Sequence, residues 1–147
     1  MRAETLWQAF TSEYPDYQDE NYHAWAYGAS PDELARLTLQ GIKRATTSGY
    51  AFYEIENEEL PKVNQFNIIL DSEEKAVCIT QTTKVYLVPF NRVSTDHAYK
   101  EGECDRSYDY WRHVHIEFFE KEYASAGLTF TEDRLVVCEE FEVVYKN

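Results

Sequence analysis

Residues 30–48 read Ser-Pro-Asp-Glu-Leu-Ala-Arg-Leu-Thr-Leu-Gln-Gly-Ile-Lys-Arg-Ala-Thr-Thr-Ser. The stretch holds a whole helix and the start of a strand. Ser30 is an N-cap candidate, Pro31 suits the first helical position, and Glu33 completes a capping box. Leu34 and Leu37 supply the buried stripe. Gly41 suits the left-handed residue that ends a helix. Beyond it the chain turns β-prone through Ala45, Thr46, Thr47, Ser48, Gly49, Tyr50 and Phe52.

Working outward, Leu6, Trp7, Phe10 and Tyr14 sit at helical spacing. They predict an amphipathic helix over residues 4–14, stopped by Pro15. Residues 15–29 are polar and aromatic and read as a loop. On the other side, residues 66–70 read as a strand and Asp71 to Lys75 as a turn. Residues 76–88 read as a long strand whose polar middle, Gln81-Thr82-Thr83-Lys84, predicts a bend or bulge. Ser94 to Glu101 reads as a short helix ended by Gly102. Ser107 caps a longer helix through about Tyr123, with a stripe of Trp111, Val114, Phe118 and Phe119, and Gly127 breaks it. Residues 135–145 alternate as the last strand.

Glu139 falls on the apolar face of that last strand. A bulge at Glu139–Glu140 would turn it outward. Without one it is an inward carboxylate that needs a cationic or hydroxyl partner. Both readings stand at this stage. The order of elements is α+β, and short strands around a bent long one predict a small, curled, barrel-like sheet flanked by helices.

The whole 147-residue chain reads as one domain, with no repeat or linker to divide it. Acidic residues number 27 against 14 basic, a formal net charge of -13. Such a chain repels polyanions, which excludes tight, non-specific binding to duplex DNA. A small nucleoside-type ligand or one short RNA segment fits better. Of its aromatics (Tyr 12, Phe 8, Trp 3), most are expected in the core, leaving a few to stack on a base. Cys78, Cys104 and Cys138 are odd in number and lack close spacing. With no apolar leader after Met1 and no membrane-length run, the expectation is a cytoplasmic protein with reduced thiols. No feature speaks to an oligomeric state.

Chemistry starts at Lys43 and Thr46, where a lysine precedes a hydroxyl by three residues. A lysine can serve as base for such a nucleophile. On spacing alone the pair carries no weight, because Lys-x-x-Thr arises often by chance. Lys43 and Arg44 equally suit the C-terminal end of a helix as solvated cations. His97 and Glu101 are four apart and share a helical face, followed by Glu103, Cys104 and Asp105. The paired spacings of a metal site are absent, so no metal and no cofactor are expected. His113 and His115 do not face one way, and His115 is expected beside the aromatic stripe. A Gly-rich phosphate loop and a nucleophile elbow are both missing.

Several segments together resemble the ASCH (activating signal cointegrator homology) domain family. They are Gly41-Ile42-Lys43-Arg44-Ala45-Thr46, Glu101-Gly102-Glu103-Cys104-Asp105, Trp111-Arg112 and Cys138-Glu139-x-Phe141. The likeness runs from about Trp25 to Tyr145, and the Glu-Gly-Glu-x-Asp and Trp-Arg elements mark a bacterial single-domain branch. It implies a PUA-like fold, a small β-barrel with a cleft after the first helices. The family was proposed to bind RNA. Small bacterial members hydrolyse the amide of N4-acetylcytidine with a Lys, a Thr three residues on and a Glu, and another member is described as a ribonuclease. The resemblance places that set on Lys43, Thr46 and Glu101. It differs from the amidohydrolases in having the first helix and the Glu-Gly-Glu-x-Asp to Trp-Arg segment. Cys104 and Asn64 stand where Gly is usual.

The resemblance thus implies attack by Thr46 on an acyl carbonyl, with Lys43 taking its proton and Glu101 positioning Lys43 or the base. Arg44 or a backbone N–H would stabilise the oxyanion. Glu103, Asp105 and Arg112 would lie near the cleft and help bind substrate. The rival reading is an RNA-binding module, which needs Lys43, Arg44, Lys62, Lys84, Arg92, Arg106 and Arg112 on one face. A ribonuclease using Lys43 as a cation, and a domain without activity, complete the set.

Overall fold

The computed structural model describes residues 1–146. In chain order it runs α1 (Ala3–Glu13), β1 (Tyr22–Ala26), α2 (Pro31–Leu39), β2 (Ala45–Gly49), α3 (Tyr50–Ile55), β3 (Phe66–Leu70), β4 (Ala76–Pro89), α4 (Thr95–Glu101), α5 (Tyr108–Ser125) and β5 (Leu135–Tyr145). The strands form one five-stranded sheet in the order β1-β3-β4-β5-β2. Only β1 and β3 pair in parallel. The bend expected at Gln81–Lys84 is a register shift between β4 and β5 at Thr82/Lys84, with a second at Ile79/Thr80. Bulges of this kind increase local twist. The sheet curls until its two edges, β1 and β2, line the same cleft. The α+β, PUA-like architecture is therefore an open half-barrel, unclosed between β1 and β2.

Three apolar clusters hold the helices on this sheet. Leu6, Trp7 and Phe10 of α1 pack on Phe66, Ile68 and Ile79. Each buried side chain contributes roughly 1.5–3 kcal/mol. This docks α1 although Arg2 provides no side-chain cap. Ala35 of α2 packs with Tyr27, Ile69, Cys78 and Phe141. Trp111, Phe119 and Tyr123 of α5 pack with Phe90, Val136 and Cys138. Burial pushes the Cys78 and Cys138 thiols up to about 12, and all three cysteines are free.

Two elements depart from expectation. Residues 22–26, expected as loop, form β1. It is an edge strand with His23, Ala24 and Ala26 exposed, so it carries no apolar run. Tyr50 to Phe52, expected as strand, begin α3. There the β-preference of aromatic rings yields to packing, with Phe52 edge-on to Tyr123 at 5.0 Å. The capping box of α2 is also absent. Ser30 is left-handed (φ 45) and its side chain bonds no helix N–H, while Glu33 pairs with Arg36. Ser94 and Ser107 do cap α4 and α5, accepting from the His97 and Tyr110 amides.

Two glycines bring the site together. Gly41 is left-handed (φ 77), and Gly41 N and Ile42 N donate to Thr38 O and Leu37 O, as a Schellman motif requires. That turn aims the chain across the end of α4, where Arg44 N donates to Lys100 O at 2.7 Å. Gly102 ends α4 with φ 72, and a Cβ there would lie 2.5 Å from Ile42 O. Asn64 (φ 74) and Cys104 (φ 52), which stand where the resemblance leads one to expect glycine, have left-handed backbone. Gly102→Ala is expected to cost about 3 kcal/mol or more in urea unfolding, because backbone must move. Gly41→Ala, with open space at its Cβ, is expected to cost only about 1 kcal/mol. Equal losses would contradict this packing account.

Candidate functional site

Lys43 enters the protein from the turn after α2, and its side chain is only 1% exposed. Its Nζ lies 3.1 Å from Glu101 Oε1 and 3.2 Å from Glu103 Oε2. It also reaches the Glu101 carbonyl at 3.5 Å, a cation at the C-terminal end of α4, where the helix dipole favours it. The Tyr27 ring faces the ammonium, 5.2 Å from its centroid. Lys43 is thus fixed as an ion-pair partner.

Glu101 is the centre of the cluster. Its Oε2 accepts from Thr47 Oγ1 at 2.6 Å and from Trp111 Nε1 at 2.6 Å, and His97 Nε2 is 3.2 Å away. Its Oε1 faces Lys43 and, at 3.3 Å, His115 Nε2. Burial pushes this carboxyl up. The charge of Lys43, then the charge and hydrogen bond of His115, outweigh burial and hold it well below its ordinary value of 4.5. Because Thr47 donates to Glu101, the 2.8 Å contact between Thr47 Oγ1 and His97 Nε2 requires the histidine to donate. His97 Nδ1 lies 3.4 Å from the Tyr86 hydroxyl.

His115 stacks on Trp111, with centroids 4.4 Å apart. Its Nδ1 lies 2.8 Å from the Trp111 carbonyl, while Nε2 faces the Glu101 carboxylate. Two acceptors demand two donors, which is the imidazolium. Burial lowers the His115 pKa, but the charge and hydrogen bond of Glu101, with Glu103 behind, raise it above 6.5. Lys43 and His115 then balance Glu101 and Glu103. Ligand atoms of Glu101, Glu103 and His115 lie within 4.8 Å of one another, as a metal would need. The Lys43 ammonium already lies against both carboxylates.

The cleft has two connected parts. A smaller cavity of about 90 Å³ is lined by Lys43, Thr46, Thr47, Glu101, Glu103 and His115 among others. A larger one of about 770 Å³ lies between β1 and β2. Tyr27, Thr46, Thr47 and Phe118 border both. Thr46 pairs with Glu139 and Thr47 with Cys138. The period-2 rule therefore sends the two threonines to opposite sheet faces. Thr47 meets Glu101, while Thr46 faces the interior of the curl. Among the described residues, Thr46 makes no hydrogen bond to Lys43 or Glu101.

The two readings of Glu139 are resolved. The bulge lies in β4 instead, and Glu139 points inward at 6% exposure. Thr82 Oγ1 donates to its Oε2 at 2.6 Å. Behind Thr82 stands Asn67, whose Nδ2 donates to it at 3.0 Å. Asn67 Oδ1 accepts from Gln65 at 2.8 Å and from Trp25 Nε1 at 3.3 Å. Burial raises the Glu139 pKa, and Thr82 only partly offsets it.

Other expected substrate contacts lie elsewhere. Arg44 is exposed and does not line the cleft. Asp105 is exposed and accepts from the Ser107 amide, and Arg112 pairs with Glu132. Of the cations an RNA groove would need, Lys43 is buried, Lys62 and Lys84 are exposed beside Glu59 and Glu140, Arg92 is exposed, and Arg106 lies over the Tyr99 ring.

The curled, open five-stranded sheet flanked by helices is the architecture of a PUA-like domain. A family model described as the ASCH domain matches residues 23–145, and the chain belongs to that family. The crystal structure of an ASCH domain from Lactobacillus crispatus JV V101 is 31% identical. Its TM-score is 0.90, over 97% of this chain and 93% of that one. A crystallised protein from Enterococcus faecalis V583 is 36% identical, with TM-score 0.87, over 99% of this chain and 94% of that one. No curated protein matches the chain in sequence. No helix among the described residues is long and apolar enough to cross a membrane.

Glu101→Gln leaves the buried Lys43 and His115 short of negative charge. It is expected to cost about 3 kcal/mol at pH 7 in urea unfolding. Since the folded carboxyl is depressed, its stabilisation is complete above the unfolded value of 4.5 and is lost as pH falls through the folded value. The deficit of the variant should therefore shrink only in that acid range. A variant as stable as wild type at pH 7 would contradict the cluster.

Proposed function

We propose that the cleft binds a modified nucleoside and hydrolyses its exocyclic amide, as in N4-acetylcytidine. The observation that carries this reading is the buried Lys43–Glu101–Glu103 cluster opening into a nucleoside-sized cleft, with Thr46 bordering both its parts. Aromatic rings such as Trp25, Tyr53 and Phe118 line the larger part and suit a planar base.

In this reading Thr46 Oγ attacks the acyl carbonyl and the carbon–N4 bond breaks. Lys43, held as a cation, donates a proton to the departing amine and is restored by the proton leaving Thr46. Water then cleaves the acyl-threonine ester, releasing acetate. Glu101 and Glu103 keep the Lys43 ammonium in place, and the Thr47–His97 contact fixes the opposite edge of Glu101.

Purified protein incubated with N4-acetylcytidine should release acetate and cytidine. Lys43→Ala and Thr46→Ala should each lower the rate on the order of 10²-fold or more. Absence of turnover, or rates unchanged in both variants, would overturn the reading.

A further inference from the structure

The larger part of the cleft has an uneven chemistry. Among the described residues its lining holds Glu58, Glu59, Glu122 and Glu139, and neither lysine nor arginine. Its walls include Tyr22, Trp25, Tyr53 and Phe118. The negative field is felt inside. Burial raises the Tyr53 phenol, a bond from Ser48 lowers it, and Glu139, Glu58 and Glu122 raise it further.

Glu139 stands apart from the other acids. Glu58 and Glu59 are exposed, whereas Glu139 is 6% exposed. Thr82 holds its Oε2, while Oε1 has no hydrogen-bond partner among the described residues. Oε1 is also not sealed in, since among the described residues the one buried side-chain polar atom without a partner is Tyr123 OH. The Asn67–Thr82 relay fixes the carboxyl group from behind. A recessed carboxylate with one oxygen open to a ring-lined cleft is an unfinished ion pair. Leaving it unfinished costs stability, and aromatic faces add attraction for a cation.

We propose that this part of the cleft is a binding site for a small, phosphate-free organic cation, namely a protonated or N-methylated heterocycle stacked on the aromatic walls with its charge against Glu139. An anionic group would meet four carboxylates there and no counter-charge. The site stands whether or not the Lys43 end hydrolyses amides, so acetate release reads separately from it.

The probes are 1-methyladenosine, which is cationic at neutral pH, and neutral adenosine, titrated calorimetrically into the full chain at pH 7. The expected result is at least tenfold tighter binding of 1-methyladenosine, with adenosine 5′-monophosphate weaker than adenosine. Glu139→Gln should abolish the preference for the cation, so that 1-methyladenosine and adenosine bind alike. Because burial raises the folded Glu139 pKa, the wild-type carboxylate opposes folding above that value. The variant should therefore be at least as stable as wild type at pH 7, which guards against loss by misfolding. Failure to bind 1-methyladenosine, equal binding of the two nucleosides, or a preference that survives Glu139→Gln would each overturn the proposal.

Discussion

The Glu101 carboxylate is the interaction on which the rest depends. A fully buried anion is costly unless every lone pair is met. Here Thr47 comes from β2, Trp111 and His115 from α5, His97 from its own helix, and Lys43 from the turn after α2. One side chain therefore ties an edge strand to the two helices that cover it. Losing any donor leaves charge or a polar atom unpaired in a low-dielectric interior, where such faults are most expensive.

That tie has a consequence for the cleft. β2 is an edge strand, paired only with β5. The Thr47 side of β2 is locked to Glu101, so the Thr46 side is presented to the interior of the curl in a fixed register opposite Glu139. The two ends of the cleft are thereby given opposite characters. One end is a charge-balanced cluster of Lys43, His115, Glu101 and Glu103. The other is acidic and ring-lined, with Glu139 as its recessed acid. A ligand spanning both would meet the ammonium at one end and carboxylates at the other.

Much of this was legible in sequence, for physical reasons that differ by element. Helix α2 announces itself through Pro31, its Leu stripe and Gly41, and the bend in β4 through its polar middle. Lys43, Glu101 and Glu103 were recoverable from motif likeness, and His97–Glu101 from helical spacing. The partner hydroxyl of Glu101 was not. Thr46 and Thr47 are adjacent, and only the register of β2 on β5 decides which one faces α4. His115 reaches Glu101 because it stacks one turn after Trp111, a signal visible in spacing but silent about a partner in α4. Strand β1 escaped because an exposed edge needs no apolar run. Arg44, Asp105 and Arg112 lie near motif residues in sequence, yet helix phase and turn geometry carry them away from the cleft.

The most direct test of the Glu101-centred account is the protonation state of His115, followed by nitrogen-15 NMR of its imidazole across pH. Both ring nitrogens face acceptors, so the account predicts a ring that titrates above the ordinary value of 6.5, with both nitrogens protonated below that point. A His115 that titrates at or below 6.5 would contradict the charge balance around Glu101 and the account built on it.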